Sequence, residues 1–137
     1  MAWNATRTGS TGKTRVGEQM KLIRQDDAAA RLSHSPIFEG EVVTQNLVAE
    51  GDAPLLRVTA ITFRDGARNR LHHHSTEQVL IVTHGRGIVA TEAEELRVEP
   101  GDVVLIPPGE RHWHGAEPGH DFTHVSILTP GEMTIDG

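Results

Sequence analysis

From Phe38 to Leu128 the chain reads as a series of short β-rich runs broken by Gly, Pro, Asp and Asn, and this punctuation constrains the fold more than any other feature. The runs are Glu41–Glu50, Leu55–Arg64, Gln78–His84, Gly87–Thr91, Leu96–Val98, Val103–Ile106 and Phe122–Leu128. Between them stand Gly51-Asp52-Ala53-Pro54, Asp65-Gly66, Gly85, Pro100-Gly101, Pro107-Pro108-Gly109 and Glu117-Pro118-Gly119. Short strands with regular turn signals predict an all-β sandwich or barrel. No ten-residue helical pattern alternates with them, which argues against a parallel α/β sheet. Ahead of this region Met20, Leu22, Ile23, Ala28, Ala29, Ala30 and Leu32 allow one short helical turn. Residues 1–18 are rich in Gly, Ser, Thr and Arg without periodicity, and predict a flexible, basic N-terminal arm outside a single domain spanning residues 19–137.

Composition narrows the chemistry. With no cysteine, disulfides and thiolate sites are excluded, so any metal must be held by nitrogen and oxygen. A net charge of −6 and only three Phe and two Trp disfavour a nucleic-acid partner. No apolar run approaches the roughly 20 residues of a membrane helix, and the N-terminus shows no signal-peptide core. The expectation is a cytoplasmic protein with no membrane partner. Against this plain background, nine histidines in 137 residues require an explanation.

Four of them form two i, i+2 pairs, His72/His74 and His112/His114. Side chains alternate faces along a strand, so each pair aims two imidazoles into one space. Gln78 shares the parity of His72 and His74 and belongs on the same inner face, whereas Glu77 points outward unless a bulge at Ser75-Thr76 reverses the order. His34, His73, His84 and His120 read as loop or outer-face residues. His124 lies within the apolar run Phe122–Leu128, where a buried ring needs a partner; it is a satisfied core residue or a pocket residue.

Two ordered motifs then become visible. Gly66-x5-His72-x-His74-x3-Gln78-x6-Gly85 resembles the first motif of the cupin superfamily, within residues 66–85, and Gly101-x5-Pro107-x-Gly109-x2-His112 resembles the second, within residues 101–116. The resemblance implies a double-stranded β-helix, or jelly-roll, barrel. The strings Gln78-x-Leu80-Ile81-Val82-Thr83-x-Gly85-x-Gly87 and Pro108-Gly109-Glu110-x-His112-Trp113-His114-Gly115-Ala116 are similar to small bacterial cupins that include manganese-dependent hydroxynitrile lyases. That likeness implies a metal held by His72, His74, Gln78 and His112, with His114 and His124 as active-site histidines. The chain departs from those lyases at Ser75-Thr76-Glu77, where they have Pro-Leu-Gly, and at Leu128, where they place a pocket glutamine. The second departure puts cyanohydrin recognition in question and leaves the metal site intact.

Three imidazoles and a carboxamide are neutral ligands, so a divalent ion keeps its full charge and acts as a strong Lewis acid. Nitrogen and oxygen donors suit Mn(II) or Fe(II), with Ni or Zn as occupants set by supply. His114, with an ordinary imidazole pKa near 6.5, suits acid/base work on a bound small-molecule substrate, with His124 relaying or orienting. Trp113 has the opposite parity and belongs outside. Thr59, Ile61 and Phe63 share one strand face and are candidate pocket walls, together with Leu128. Three functions follow: a metal-dependent lyase or isomerase, an Fe or Mn dioxygenase, and a non-catalytic metal- or ligand-binding module. Sheet edges that need covering predict a homodimer.

Overall fold

The computed structural model describes residues 19–137, and the predicted N-terminal arm, residues 1–18, lies outside them. The fold is all-β, built from two antiparallel sheets, with no α-helix among the described residues. Accordingly, none of these residues forms a helix long and apolar enough to cross a membrane. The short helical turn expected between residues 19 and 35 is a single 3-10 turn, Asp27–Ala29, capped by Asp26 Oδ1 accepting from the Ala28 amide at 2.9 Å. It leads into β1 (Arg31–Leu32) and β2 (Phe38–Glu39).

The remaining strands are β3 (Val42–Val48), β4 (Arg57–Phe63), β5 (Arg68–Asn69), β6 (His72–His74), β7 (Gln78–Gly85), β8 (Gly87–Thr91), β9 (Glu95–Val98), β10 (Val103–Ile106), β11 (His112–Ala116), β12 (Phe122–Leu128) and β13 (Met133–Ile135). The first sheet runs β1-β3-β4-β12-β7-β10; the second runs β13-β6-β11-β5-β2, with β8 bridging β11 and β9. The seven predicted runs appear within a residue or two of their expected bounds. Strands β1, β2, β5, β6, β11 and β13 lie outside those runs; all but β11 have only two or three residues, too few to display a period of two.

Strand β12 lies between β4 and β7, and its register decides what faces inward. Phe122, His124, Ser126 and Leu128 stand opposite Phe63, Ile61, Thr59 and Arg57 on β4. On the other side His124, Ser126 and Leu128 meet Val82, Leu80 and Gln78 on β7. Directly opposed residues share a face. The expected wall Thr59, Ile61 and Phe63 is therefore the inner face of β4. Along these strands one end is apolar and the other polar. At the apolar end Phe63 and Phe122 stack at 6.0 Å, both fully buried, and pack with Val42, Leu80 and Val82. Burial of each such side chain contributes about 2–3 kcal/mol. At the other end come Gln78, Ser126 and the histidines.

The Gly-containing turns do conformational work. Gly66, Gly85, Gly101 and Gly109 all have positive φ, between 75° and 96°, as their place in turns requires. Gly85 is also held against backbone: a Cβ there would lie 1.9 Å from the Asp121 carbonyl oxygen, whereas one on Gly101 would meet nothing within 4 Å. Gly85→Ala is therefore expected to lose clearly more stability than Gly101→Ala, whose cost is the left-handed strain of about 1–2 kcal/mol. Urea midpoints of the two variants measure the difference, and equal losses would contradict the close approach.

Candidate metal centre and histidine pair

The site forms where the polar ends of the two sheets meet. His72 on β6 stands directly opposite His112 on β11, and β7 brings Gln78 from the facing sheet. His72 and His112 are buried, as is Gln78. The potential ligand nitrogens of His72, His74 and His112 lie within 4.8 Å of one another, a group that could hold a metal ion. Gln78 Oε1 is 3.3 Å from His112 Nε2. Glu77, as its parity predicts, is exposed.

Hydrogen bonding fixes where the protons are. His72 Nδ1 donates to the Arg70 carbonyl at 2.7 Å, and His112 Nδ1 donates to the Glu110 carbonyl at 2.8 Å. A carbonyl only accepts, so both neutral rings carry their lone pair on Nε2. Gln78 Nε2 donates to Ser126 Oγ at 2.9 Å, which turns Oε1 toward His112. Two acceptors thus face each other with no proton between them. The Nε2 atom of His74 is buried without a partner. Burial and the neighbouring His112 push both His72 and His74 down to about 4, and burial lowers His112 as well, so protonation does not relieve the crowding near neutral pH. Clustered, undonated lone pairs are the environment a cation satisfies, and the donor set fits a borderline divalent ion.

His114 and His124 form a second unit beside the first. The ring centre of His114 is 5.7 Å from that of His72 and 5.6 Å from that of His112, and His114 is outside the three-histidine group. Asn69 Oδ1 accepts from the His114 backbone amide at 2.8 Å, which orients the carboxamide so that Nδ2 faces the ring, 3.2 Å from Nε2. With Asn69 donating to Nε2, the proton of His114 sits on Nδ1 and is donated to His124 Nε2 at 2.9 Å. His124 then carries its proton on Nδ1, which is buried without a partner. The sequence reading gave His114 an ordinary pKa; burial, reinforced by the surrounding histidines, instead holds it well below the usual range, and burial lowers His124 to about 3. Phe63 packs edge-on to His114 at 5.8 Å, so it is the apolar floor under the pair.

The outer residues fall as their parity predicts. Trp113 is stacked under the Arg68 guanidinium at 3.6 Å, and His73 donates to Asp136 at 2.8 Å. A cleft of about 450 Å³ opens beside His74 and is lined also by Leu128, Arg57, Glu50 and Glu132; Thr59 and Ile61 are not among its lining residues. Asn69, Ser126 and the carbonyls of Arg70 and Glu110 are site components that the sequence reading did not pick out. Ser126 shares parity with His124 and Leu128 and was open to the same argument; Asn69 lies beyond a break between β5 and β6, and backbone carbonyls carry no residue signature.

Two antiparallel sheets meeting on a three-histidine group define the cupin class. The AraC-like ligand binding domain family matches residues 55–134, and the chain belongs to this cupin family. It is 38% identical to the (R)-mandelonitrile lyase of Granulicella tundricola, over 79% of this chain and 83% of that protein. It is 29% identical to the acireductone dioxygenase of Bacillus pumilus, over 46% of this chain and 39% of that protein. Among solved structures, a cupin-like protein from Thermotoga maritima superimposes with a TM-score of 0.73 at 35% identity, covering 77% of this chain and 84% of that one. The polyketide cyclase RemF from Streptomyces resistomycificus shares the fold, with a TM-score of 0.77 at 19% identity over 87% of each chain.

The histidine environment predicts acid sensitivity. Unfolded imidazoles titrate near 6.5, so as pH falls the unfolded chain takes up protons that the buried rings refuse. The stability that the low-pKa rings confer is full above about pH 6.5 and is lost as pH falls toward 4. The melting temperature of chelator-treated protein is expected to drop across that window, and a flat profile between pH 6.5 and 4 would contradict it.

Proposed function

We propose that the protein is a metal-dependent small-molecule lyase or isomerase of the hydroxynitrile-lyase-like type. The observation that carries this reading is the cluster of His72, His74 and His112 ring nitrogens within 4.8 Å of one another, with the Nε2 lone pairs of His72 and His112 free and Gln78 Oε1 3.3 Å from His112. These four residues would hold one divalent ion, Mn(II) or Fe(II) by preference, with Ni or Zn as alternative occupants. When bound, the ion supplies Lewis-acid polarisation of a substrate hydroxyl or carbonyl.

The chain's own residues account for the proton. His114 begins neutral, and its Nε2 takes the hydroxyl proton in exchange for the hydrogen bond from Asn69, whose amide must give way because an Nε2–H cannot accept from Nδ2. The imidazolium formed already donates through Nδ1 to His124, so the second ring shares the charge. For an α-hydroxynitrile, the C–CN bond breaks as the hydroxyl oxygen becomes a carbonyl, and His114 returns the proton to the departing cyanide. Phe63 and the apolar end of the core keep water from the pair. A dioxygenase is the second reading, supported by the likeness to acireductone dioxygenase.

Protein reloaded with Mn or Fe and given α-hydroxynitriles, β-diketones and hydroxy acids under an oxygen electrode separates the readings. The lyase reading expects turnover without oxygen uptake; uptake in step with turnover overturns it in favour of the dioxygenase, and ligand binding without turnover favours a binding module. His72→Ala and His112→Ala are each expected to abolish metal retention in elemental analysis, and metal surviving both changes would overturn the ligand assignment. We also propose a homodimer, supported by the edge strand β10 with Val103 and Leu105 exposed. Light scattering is expected to give twice the 15.0 kDa chain mass, and a monomer would remove the proposal.

A further inference from the structure

We infer that Arg57 is a substrate-binding residue that receives a single carboxylate at the mouth of the cleft, and this rests on the reading that the cleft delivers substrate to the histidine site. Arg57 is on the inner face of β4, opposite Leu128, and Leu128 is in turn opposite Gln78. The three residues form one row across β4, β12 and β7. Arg57 lines the same cleft as His74 and Leu128.

The arginine is half-buried and held in place from one side. Its Nη1 donates to the Ala53 and Leu56 carbonyls, each at 2.8 Å. Both protons of that nitrogen are consumed, which leaves the Nε–Nη2 edge, the edge that takes a carboxylate side-on through two parallel hydrogen bonds. Among the described residues no carboxylate lies within ion-pair distance of Arg57, although Glu50 and Glu132 line the same cleft. A half-buried guanidinium that is oriented by main chain and left without a counter-ion is pre-organised for an anion from outside. The two glutamates repel a second negative group, so the geometry favours a monocarboxylate over a dicarboxylate.

The row also sets the length of the ligand. Adjacent strands are about 4.8 Å apart, so the Arg57 and Gln78 backbones are separated by roughly 10 Å. A carboxylate on Arg57 and a hydroxyl or carbonyl at the histidine group are then bridged by roughly three to five carbons. The substrate class is a short acid with an oxygen function at its far end.

The test is isothermal titration with ω-hydroxy acids of four to six carbons, including 5-hydroxypentanoate, against 5-hydroxypentanamide, the neutral amide of that acid. Wild-type protein is expected to bind at least one of the acids about ten-fold more tightly than the amide. Arg57→Gln is expected to erase that preference, and Arg57→Lys, which keeps the charge but not the fork, to retain part of it. Equal affinity for acid and amide, absence of acid binding across the series, or a preference that survives Arg57→Gln would overturn the proposal. The same titration on chelator-treated protein separates this inference from the metal reading. An acid preference lost with Arg57→Gln but present without metal supports Arg57 even if no metal-dependent turnover is found. Metal retained by Arg57→Gln alongside equal acid and amide binding in wild type overturns Arg57 and leaves the metal reading standing.

Discussion

The pairing of β12 with β4, unbroken along its length, and with β7 from His124 to Leu128 after a bulge at Thr123/His124, is the constraint on which the rest depends. Seven consecutive pairs on the β4 side fix the parity of every inward residue, and a one-residue slip would turn His124 and Ser126 outward and leave Thr123 and Val125 in the core. The buried Phe63–Phe122 stack holds that register from one end. Because the same strands run from this apolar end to a polar one, their packing also delivers His124, Ser126 and Gln78 to one inner face on successive rungs of the β12–β7 ladder. Core and site are two ends of one set of strands, so the energy that fixes the first positions the second.

What the second end assembles is a conflict of lone pairs. His72, His74 and His112 are held neutral by burial, two of them with their protons turned away to main-chain carbonyls, and Gln78 adds an oxygen rather than a donor. Such an arrangement costs free energy in an empty protein. The His114–His124 unit is built on the opposite rule. Asn69 donates to His114 and His114 to His124, each tautomer set by the residue before it, and the relay ends at His124 Nδ1, which is buried without a partner. One unit therefore presents electron pairs while its neighbour passes protons, and the division arises from which side chains have a donor behind them.

Much of this was legible in the sequence, for identifiable reasons. The i, i+2 spacing of His72/His74 and His112/His114 survives in any strand, so their shared facing needed no tertiary knowledge. Gln78 could be separated from Glu77 by parity, and the structure buries the first and exposes the second. The Gly turns predicted the strand limits because positive φ is a local demand. Asn69 was not legible, since β5 and β6 are separate short strands and the parity count fails across the break between them. The pKa of His114 was also out of reach: it depends on complete burial among other rings, which is a property of packing and not of spacing. Arg57 lay unremarked inside the expected run Leu55–Arg64, and only the row it shares with Leu128 and Gln78 gave it a neighbourhood.

The carbonyls that orient His72 and His112 belong to Arg70 and Glu110, residues whose own side chains are exposed. Orientation of the ligating rings is thus written into main-chain geometry, two residues before each histidine, and owes nothing to what those positions carry. Arg70 can pair with Glu39 across the surface, or be exchanged for another residue, without altering which nitrogen of His72 is protonated. The exterior around the centre is consequently free to drift in charge and shape, adapting to new partners or surroundings, while the electronic state of the centre stays constant.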